Sequence, residues 1–325
     1  MHYRRLGKSG VKVSEVALGS WLTYGGSVDE KSSVKQIHHA FEQGINFFDT
    51  ANVYAHGAAE QVVGKAVSTL KRDDCFIATK VFFPMGEGPN DKGLSRKHVH
   101  EQCHASLKRL KMDYIDLYQC HRFDPETPLE ELVSTMDILT RQGKVLYWGV
   151  SEWSGSQIEE ACRLAAEMNA QPPVSNQPCY NMLTRNIEAT VIPICERLGV
   201  GQVAFSPLAQ GVLTGKYLPE KPLPENSRAA DSKVNVFMMG RSLMAHETLE
   251  RVQRLTVLAK EANLTMSQFA LAWCLRQSNV SSVIIGATRA AQIEENSKAA
   301  GAKLPKDLIE RAETILGGNA SSVRA

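Results

Sequence analysis

The stretch Asn46-Phe47-Phe48-Asp49-Thr50-Ala51-Asn52-Val53-Tyr54 is a short apolar run that ends in a carboxylate and, one brief loop later, a phenol. It reads as a buried strand, because a strand covered on both faces needs a nearly continuous apolar run rather than strict alternation. Two later runs of the same kind end in Lys80 and His121. Ionisable groups that repeatedly follow buried strands are the pattern of a parallel sheet that collects its chemistry at the C-terminal ends of its strands.

Working outward, runs of this type occur at Glu15–Leu18, Asn46–Asp49, Cys75–Lys80, Tyr114–Tyr118, Val145–Val150, Val174–Asn176, Val203–Phe205 and Val283–Ile285. Between them lie helical patterns such as Val99, Cys103, Leu107 and Leu110, or Leu129, Leu132, Met136 and Leu139. Strands and helices in alternation predict an α/β fold, a (β/α)8 TIM barrel preceded by a β-hairpin at Leu6–Ser14. A doubly wound sheet would usually carry GxGxxG after its first strand, and Gly19-Ser20-Trp21-Leu22-Thr23-Tyr24-Gly25-Gly26 does not fit. Gly211–Lys216 is too short for a phosphate-binding P-loop and does not end in Lys-Ser/Thr. The polar, turn-rich segment Pro219–Arg228 predicts a long loop on the C-terminal face, placed as a lid over a ligand. One barrel domain is expected over residues 1–325, with about 317–325 as a frayed tail.

Composition narrows the classes. The 325 residues are 43% hydrophobic and 22% charged, with Lys+Arg 37 against Asp+Glu 35. A net charge of +2 without a dense basic tract gives no reason to expect nucleic acid. No run approaches the roughly 18 apolar residues of a membrane span, and no apolar signal segment follows the first charges, so a cytoplasmic protein is expected. Seven scattered cysteines without CxxC suit reduced thiols rather than a disulfide framework.

In a barrel, Asp49, Lys80 and His121 converge on one mouth, with Tyr54 just beyond Asp49. A phenol, with an ordinary pKa of about 10, becomes a usable acid near neutrality when a cation lies beside it. Lys80 would be that cation, Asp49 would hold the ammonium, and His121 would orient a carbonyl oxygen or share in proton delivery. Taken singly, the plain alternatives are a capping Asp-Thr pair, a solvated lysine, and a surface pair of His121 with Arg122.

The segments Phe48–Tyr54, Thr79-Lys80 and Asp116-Leu117-Tyr118-Gln119-Cys120-His121-Arg122 resemble those carrying the Asp, Tyr, Lys and His of the aldo-keto reductases, and the resemblance runs over essentially the whole chain. It implies NADPH-dependent reduction of a small aldehyde or ketone, with Tyr54 protonating the oxygen. By the same resemblance Ser151, Asn176 and Gln177 would bind the carboxamide side of the nicotinamide. Phe205, leading Ser206, Pro207 and Leu208, would stack on its ring. Ser20, Trp21 and Asp49 join the cofactor set. Gly211, Lys216, Gly286, Thr288, Arg289, Gln292, Glu295 and Asn296 fall in segments like those for pyrophosphate and adenosine. Lys216, Arg228 and Arg289 around a 2′-phosphate would favour NADP(H) over NAD(H). Trp21, Tyr24, Phe82, Phe83, Trp153 and Tyr180 follow strands and are expected as pocket walls.

Within the family, Ser20–Gly26 and Gly211–Tyr217 look most like the branch of potassium-channel β-subunits and their bacterial relatives. That branch implies a homo-oligomer and an alternative role, an NADP(H)-binding regulatory subunit with slow turnover. No long extension precedes Met1, which leaves a channel partner in doubt. A rival from another class is His100-Glu101-Gln102-Cys103-His104, a literal HExxH of the zinc-peptidase kind. The same helix buries Val99, Cys103, Leu107 and Leu110, which would leave both imidazoles on its flank; no metal is expected.

Overall fold

The structure, a computed structural model, describes residues 1–25, 28–225, 227–231, 235, 238 and 243–317. Its centre is a closed parallel barrel of β3 (Val16–Gly19), β4 (Phe47–Asp49), β5 (Phe76–Val81), β6 (Ile115–Cys120), β7 (Val145–Ser151), β8 (Ser175–Gln177), β9 (Gly201–Ala204) and β10 (Val280–Ile285), with β10 pairing back to β3. An antiparallel hairpin, β1 (Tyr3–Arg5) and β2 (Lys12–Ser14), precedes it. The expected (β/α)8 barrel with an N-terminal hairpin is therefore the fold.

Successive residues of a strand face opposite sides of a sheet, and that parity sorts the core. Ala17, Phe47, Phe76, Ala78, Leu117, Val203 and Ile284 form one apolar cluster inside the barrel. Their neighbours Val16, Leu18, Phe48, Ile77 and Tyr118 belong to a second, larger cluster under the helices. The helices are α1 (Glu30–Glu42), α2 (Ala58–Val67), α3 (Arg96–Leu110), α4 (Leu129–Arg141), α5 (Gly155–Glu167), α6 (Val191–Leu198), α7 (His246–Glu261), α8 (Met266–Leu275), α9 (Ala290–Ser297) and α10 (Lys306–Leu316). Sequence and structure agree on their starts where a cap is legible. Asp29 accepts from Ser32 N at 3.0 Å, and Ser154 with Gln157 and Thr265 with Gln268 form capping boxes.

The hairpin plugs the N-terminal end of the barrel. Leu6 and Val13 join the interior cluster, and the Lys8 amide donates to the Gly199 carbonyl at 2.8 Å. Gly7 has φ +57, and a Cβ there would lie 2.3 Å from the Gly199 oxygen, so only glycine allows this approach.

Every barrel strand differs from its expected bounds, five by a single residue at one or both ends and β6, β9 and β10 by more; in β6 and β10 a polar residue has a private partner. β6 continues to Cys120, because Gln119 finds buried partners, donating to Asp49 Oδ2 at 3.3 Å and accepting from Gln177 Nε2 at 3.4 Å. β10 begins at Val280, because Ser282 Oγ donates to the Ser14 carbonyl of the hairpin at 2.8 Å. β9 runs from Gly201 to Ala204, leaving Phe205 just beyond its end. The expected frayed tail, after Gly317, lies outside the described residues.

Gly64 marks the tightest contact between α2 and α3. A Cβ there would sit 2.3 Å from the Leu110 carbonyl oxygen, and backbone cannot step aside as a side chain can. Alanine would gain about 1 kcal/mol of helix propensity, against an overpacking cost of about 1–3 kcal/mol or more. Gly64→Ala should therefore lower the urea midpoint; an unchanged or higher midpoint would mean that the helices can separate freely.

Candidate active site

The inward parity that builds the apolar interior carries on for one more layer, and that layer is polar. Asp49 ends β4, Lys80 is penultimate in β5, Gln119 is penultimate in β6, and Gln177 ends β8. Lys80 and Gln119 are register partners, one step above the Ala78–Leu117 pair.

Lys80 is fully buried and its ammonium is the hub. Nζ donates to Asp49 Oδ1 at 2.5 Å, to the Thr50 carbonyl at 2.8 Å and to the Tyr54 hydroxyl at 3.3 Å. Three donors are all that an ammonium has. The other Asp49 oxygen accepts from Gln177 Nε2 at 2.8 Å and Gln119 Nε2 at 3.3 Å. His121 follows β6 directly, its amide bonded to the Val81 carbonyl at 2.9 Å, and its ring stands edge-on to Tyr54 with centroids 5.8 Å apart. The four expected residues thus lie together.

Tyr54 reaches the group by a different route, in the tight turn Tyr54–Gly57, where Ala55 and His56 both take φ of 48°. The turn leads into α2, whose buried Glu60 accepts from Thr79 Oγ1 and Arg109 Nε, both at 2.5 Å. The Arg109 chain passes so near Gly57 that a Cβ there would be 2.6 Å from its Cδ.

Electrostatics divide the group by role. Burial alone would push the Lys80 ammonium down, but the Asp49 charge and hydrogen bond, helped by Tyr54, hold it above its ordinary value. Burial, then Lys80 and Arg122, drive the His121 imidazole well below its ordinary value, so it is neutral at pH 7. For Tyr54 burial is the largest influence and raises the phenol; Lys80 pulls it down, Asp49 pushes it up, and the result stays above the ordinary value. The expected lowering by Lys80 is present but outweighed.

Around this hub several buried polar atoms find no partner among the described residues: Ser20 Oγ, Thr50 Oγ1, His121 Nδ1 and Asn176 Oδ1. Buried polar groups are rarely left so, and unsatisfied donors and acceptors at strand ends fit the amide of a nicotinamide ring. Ser151 Oγ donates to the Gln177 carbonyl at 2.9 Å, and Asn176 Nδ2 to Gln202 Oε1 at 3.0 Å. Phe205 is half-buried at the edge of the interior cluster, followed by Ser206, whose carbonyl accepts from Asn181 and whose hydroxyl accepts from Gln210 Nε2 at 2.7 Å. Pro207 is buried and Leu208 half-buried.

Arg228 donates to the Gln210 side chain, which brings the segment after Pro219 back beside Gly211. Lys216 comes to the same place: a Cβ on Gly211 would lie 3.5 Å from its Nζ. At α9, Arg289 is the N-cap residue, and Gln292 Oε1 accepts from the Thr288 amide at 2.8 Å. Gly286 is exposed, with open space where a Cβ would stand. Asn296 is buried, and the Glu295 carbonyl accepts from Gln268.

The expected pocket walls separate. Trp21, Phe82 and Phe83 are half-buried, and Phe83 packs edge-on against His121 at 4.9 Å. Tyr24 and Trp153 are buried, each with its polar atom unpartnered among the described residues. Tyr180 is a correction. It is fully buried, bonded to Glu188 Oε1 at 2.6 Å and Arg276 Nη1 at 3.0 Å, and packed on Trp273. Nor do His121 and Arg122 form a surface pair, since His121 is buried and the Arg122 side chain donates to its backbone carbonyl. Gln119, Gln202 and Gln210 were not anticipated; inward parity in β6, two residues after Leu117, could have revealed Gln119.

The HExxH residues stand on the outer face of α3. His100 and His104 are exposed with rings 4.6 Å apart, and Glu101 is paired with Lys97. Among the described residues no group of three or more His, Cys, Asp or Glu could hold a metal ion, and no helix is long and apolar enough to cross a membrane.

Comparison with known proteins finds relatives along nearly the whole chain. A relative in Arabidopsis thaliana, described as a probable voltage-gated potassium channel subunit beta, is 46% identical over 303 residues, covering 92% of this chain and 91% of its own length. One in Oryza sativa subsp. japonica, described in the same words, is 42% identical over 322 residues, covering 97% of each. The profile of the Aldo/keto reductase family matches residues 15–316, and the chain belongs to that family.

Proposed function

We propose that this protein reduces aldehydes or ketones to alcohols with NADPH, Tyr54 serving as the proton donor. The observation that carries the reading is the Lys80 ammonium, which holds Asp49, the Thr50 carbonyl and the Tyr54 hydroxyl at once. NADPH, when bound, supplies the hydride; Ser151, Asn176, Gln177 and Phe205 would hold its nicotinamide end, and Lys216, Arg228 and Arg289 its phosphates.

What the chain's own residues do follows from the site. The phenol gives up its proton to the carbonyl oxygen, and the adjoining ammonium stabilises the phenolate left behind. Asp49 fixes the ammonium and keeps it charged. Neutral His121 presents an N–H toward the same oxygen without adding a second cation beside Lys80. Removing the phenolic proton in Tyr54→Phe should slow single-turnover oxidation of bound NADPH by aldehydes by about 10²–10⁴, while NADPH binding, followed by its fluorescence, is retained. An unchanged rate would remove Tyr54 from the role.

The relatives' names support a second reading, a regulatory subunit whose bound NADP(H) reports to a partner. The same single-turnover experiment separates the two: turnover too slow to sustain repeated cycles with any aldehyde of a broad panel would favour the regulatory role.

The neutral state of His121 also has a consequence for stability. Its folded pKa is depressed, so the unfolded chain binds a proton that the folded one does not once the pH falls below about 6.5. The stabilisation is complete above that pH and is lost as acid is added, at up to about 1.4 kcal/mol per pH unit. The wild-type melting temperature should thus fall more steeply between pH 7 and pH 5.5, on the order of one unit or two, than that of His121→Gln. Parallel curves would show that the imidazole is already charged in the folded state.

A further inference from the structure

Among the described residues, most part-buried arginines are paired with a carboxylate. Arg4 pairs with Glu15 at 2.6 Å, Arg72 with Asp116 at 2.5 Å, Arg109 with Glu60 at 2.5 Å, Arg185 with Glu188 at 2.7 Å, and Arg276 with Glu188 at 3.1 Å. Arg228 is held by Gln210. Arg122 differs. It is half-buried, immediately after His121, and among the described residues no carboxylate pairs with it. Its Nη1 donates to the His121 carbonyl at 2.5 Å, and among the described residues Nε and Nη2 of its five-donor fork have no hydrogen-bond partner.

Its position relative to the reacting groups is fixed by aromatic contacts. The guanidinium carbon lies 5.5 Å from the centroid of Phe83, the Phe83 ring packs on His121 at 4.9 Å, and the His121 ring on Tyr54 at 5.8 Å. This cation–π contact with Phe83 helps to keep the guanidinium beside the site. Its charge is felt at both Tyr54 and His121. The other cation of the site, Lys80, has no donor left for a ligand. An unpaired guanidinium beside a carbonyl-reducing centre suits a carboxylate on the substrate, bound through two parallel N–H···O bonds.

We infer that Arg122 is the specificity-determining residue of this site and selects carbonyl substrates that carry a carboxylate or similar anion on the part remote from the reacting carbonyl. This rests on the reductase reading for turnover, but not for binding.

The test compares para-carboxybenzaldehyde with para-formylbenzamide, its neutral isostere, in the wild type, Arg122→Gln and Arg122→Lys. The wild type should have the lower KM for the acid. Arg122→Gln should raise that KM roughly 10- to 100-fold and leave the amide's KM nearly unchanged, and Arg122→Lys should recover part of the loss. Added salt should weaken the preference for the acid in the wild type only. The binding of para-(hydroxymethyl)benzoate and para-(hydroxymethyl)benzamide to each protein, measured by calorimetry with NADP⁺ present, needs no turnover. Equal affinities in the wild type, or a loss in Arg122→Gln that is the same for both compounds, would overturn the inference. If neither aldehyde is reduced while the benzoate still binds through Arg122, the reductase reading fails and the anion site stands.

Discussion

Everything distinctive about this barrel depends on the ion pair between Asp49 and Lys80. Two charges out of reach of water cost several kcal/mol each, and their attraction repays this only when the remaining donors and acceptors are satisfied. Here they are: the ammonium spends all three donors, and the second carboxylate oxygen takes two amides. The partners come from β4, β5, β6 and β8, so half the strands of the barrel converge on one pair of charges. Beneath it the interior is filled by Phe47, Phe76, Ala78 and Leu117, a layer that offers neither ion a partner. The charges can lie only at the C-terminal layer, and the phenol and the imidazole assemble around them.

The alternation of buried strands and amphipathic helices was legible, and so were Asp49, Lys80 and His121, because each is an ionisable residue at the end of an apolar run. Polar residues inside strands were harder. Gln119 and Ser282 look like interruptions until Asp49 and the Ser14 carbonyl are found to partner them. No local pattern announces a partner dozens of residues away.

The aromatic residues after the strands failed for another reason. Within a strand the two-residue period tells inside from outside, but a loop erases the count. Phe83, Tyr180 and Trp153 looked alike in sequence, yet Phe83 packs on His121 while Tyr180 faces Trp273 and Arg276 under the helices. The cofactor segments rest on the resemblance to aldo-keto reductases; Arg122 was weighed only as a surface partner of His121, since an arginine on a loop is ordinarily solvated.

The turn that carries Tyr54 sets it apart from its companions. Asp49 and Lys80 are held by the hydrogen-bond ladder of the barrel and His121 follows directly from it, whereas the phenol is cantilevered on a left-handed turn braced from outside by Glu60, Arg109 and the packing of α2 on α3. Loosening that brace would leave the barrel closed and the ion pair intact while the phenol drifts away from Lys80. A lineage could in this way shed its chemistry and keep its ligand, by substitutions on the outer helices alone, and a catalyst would become a sensor without any change in the residues that line its mouth.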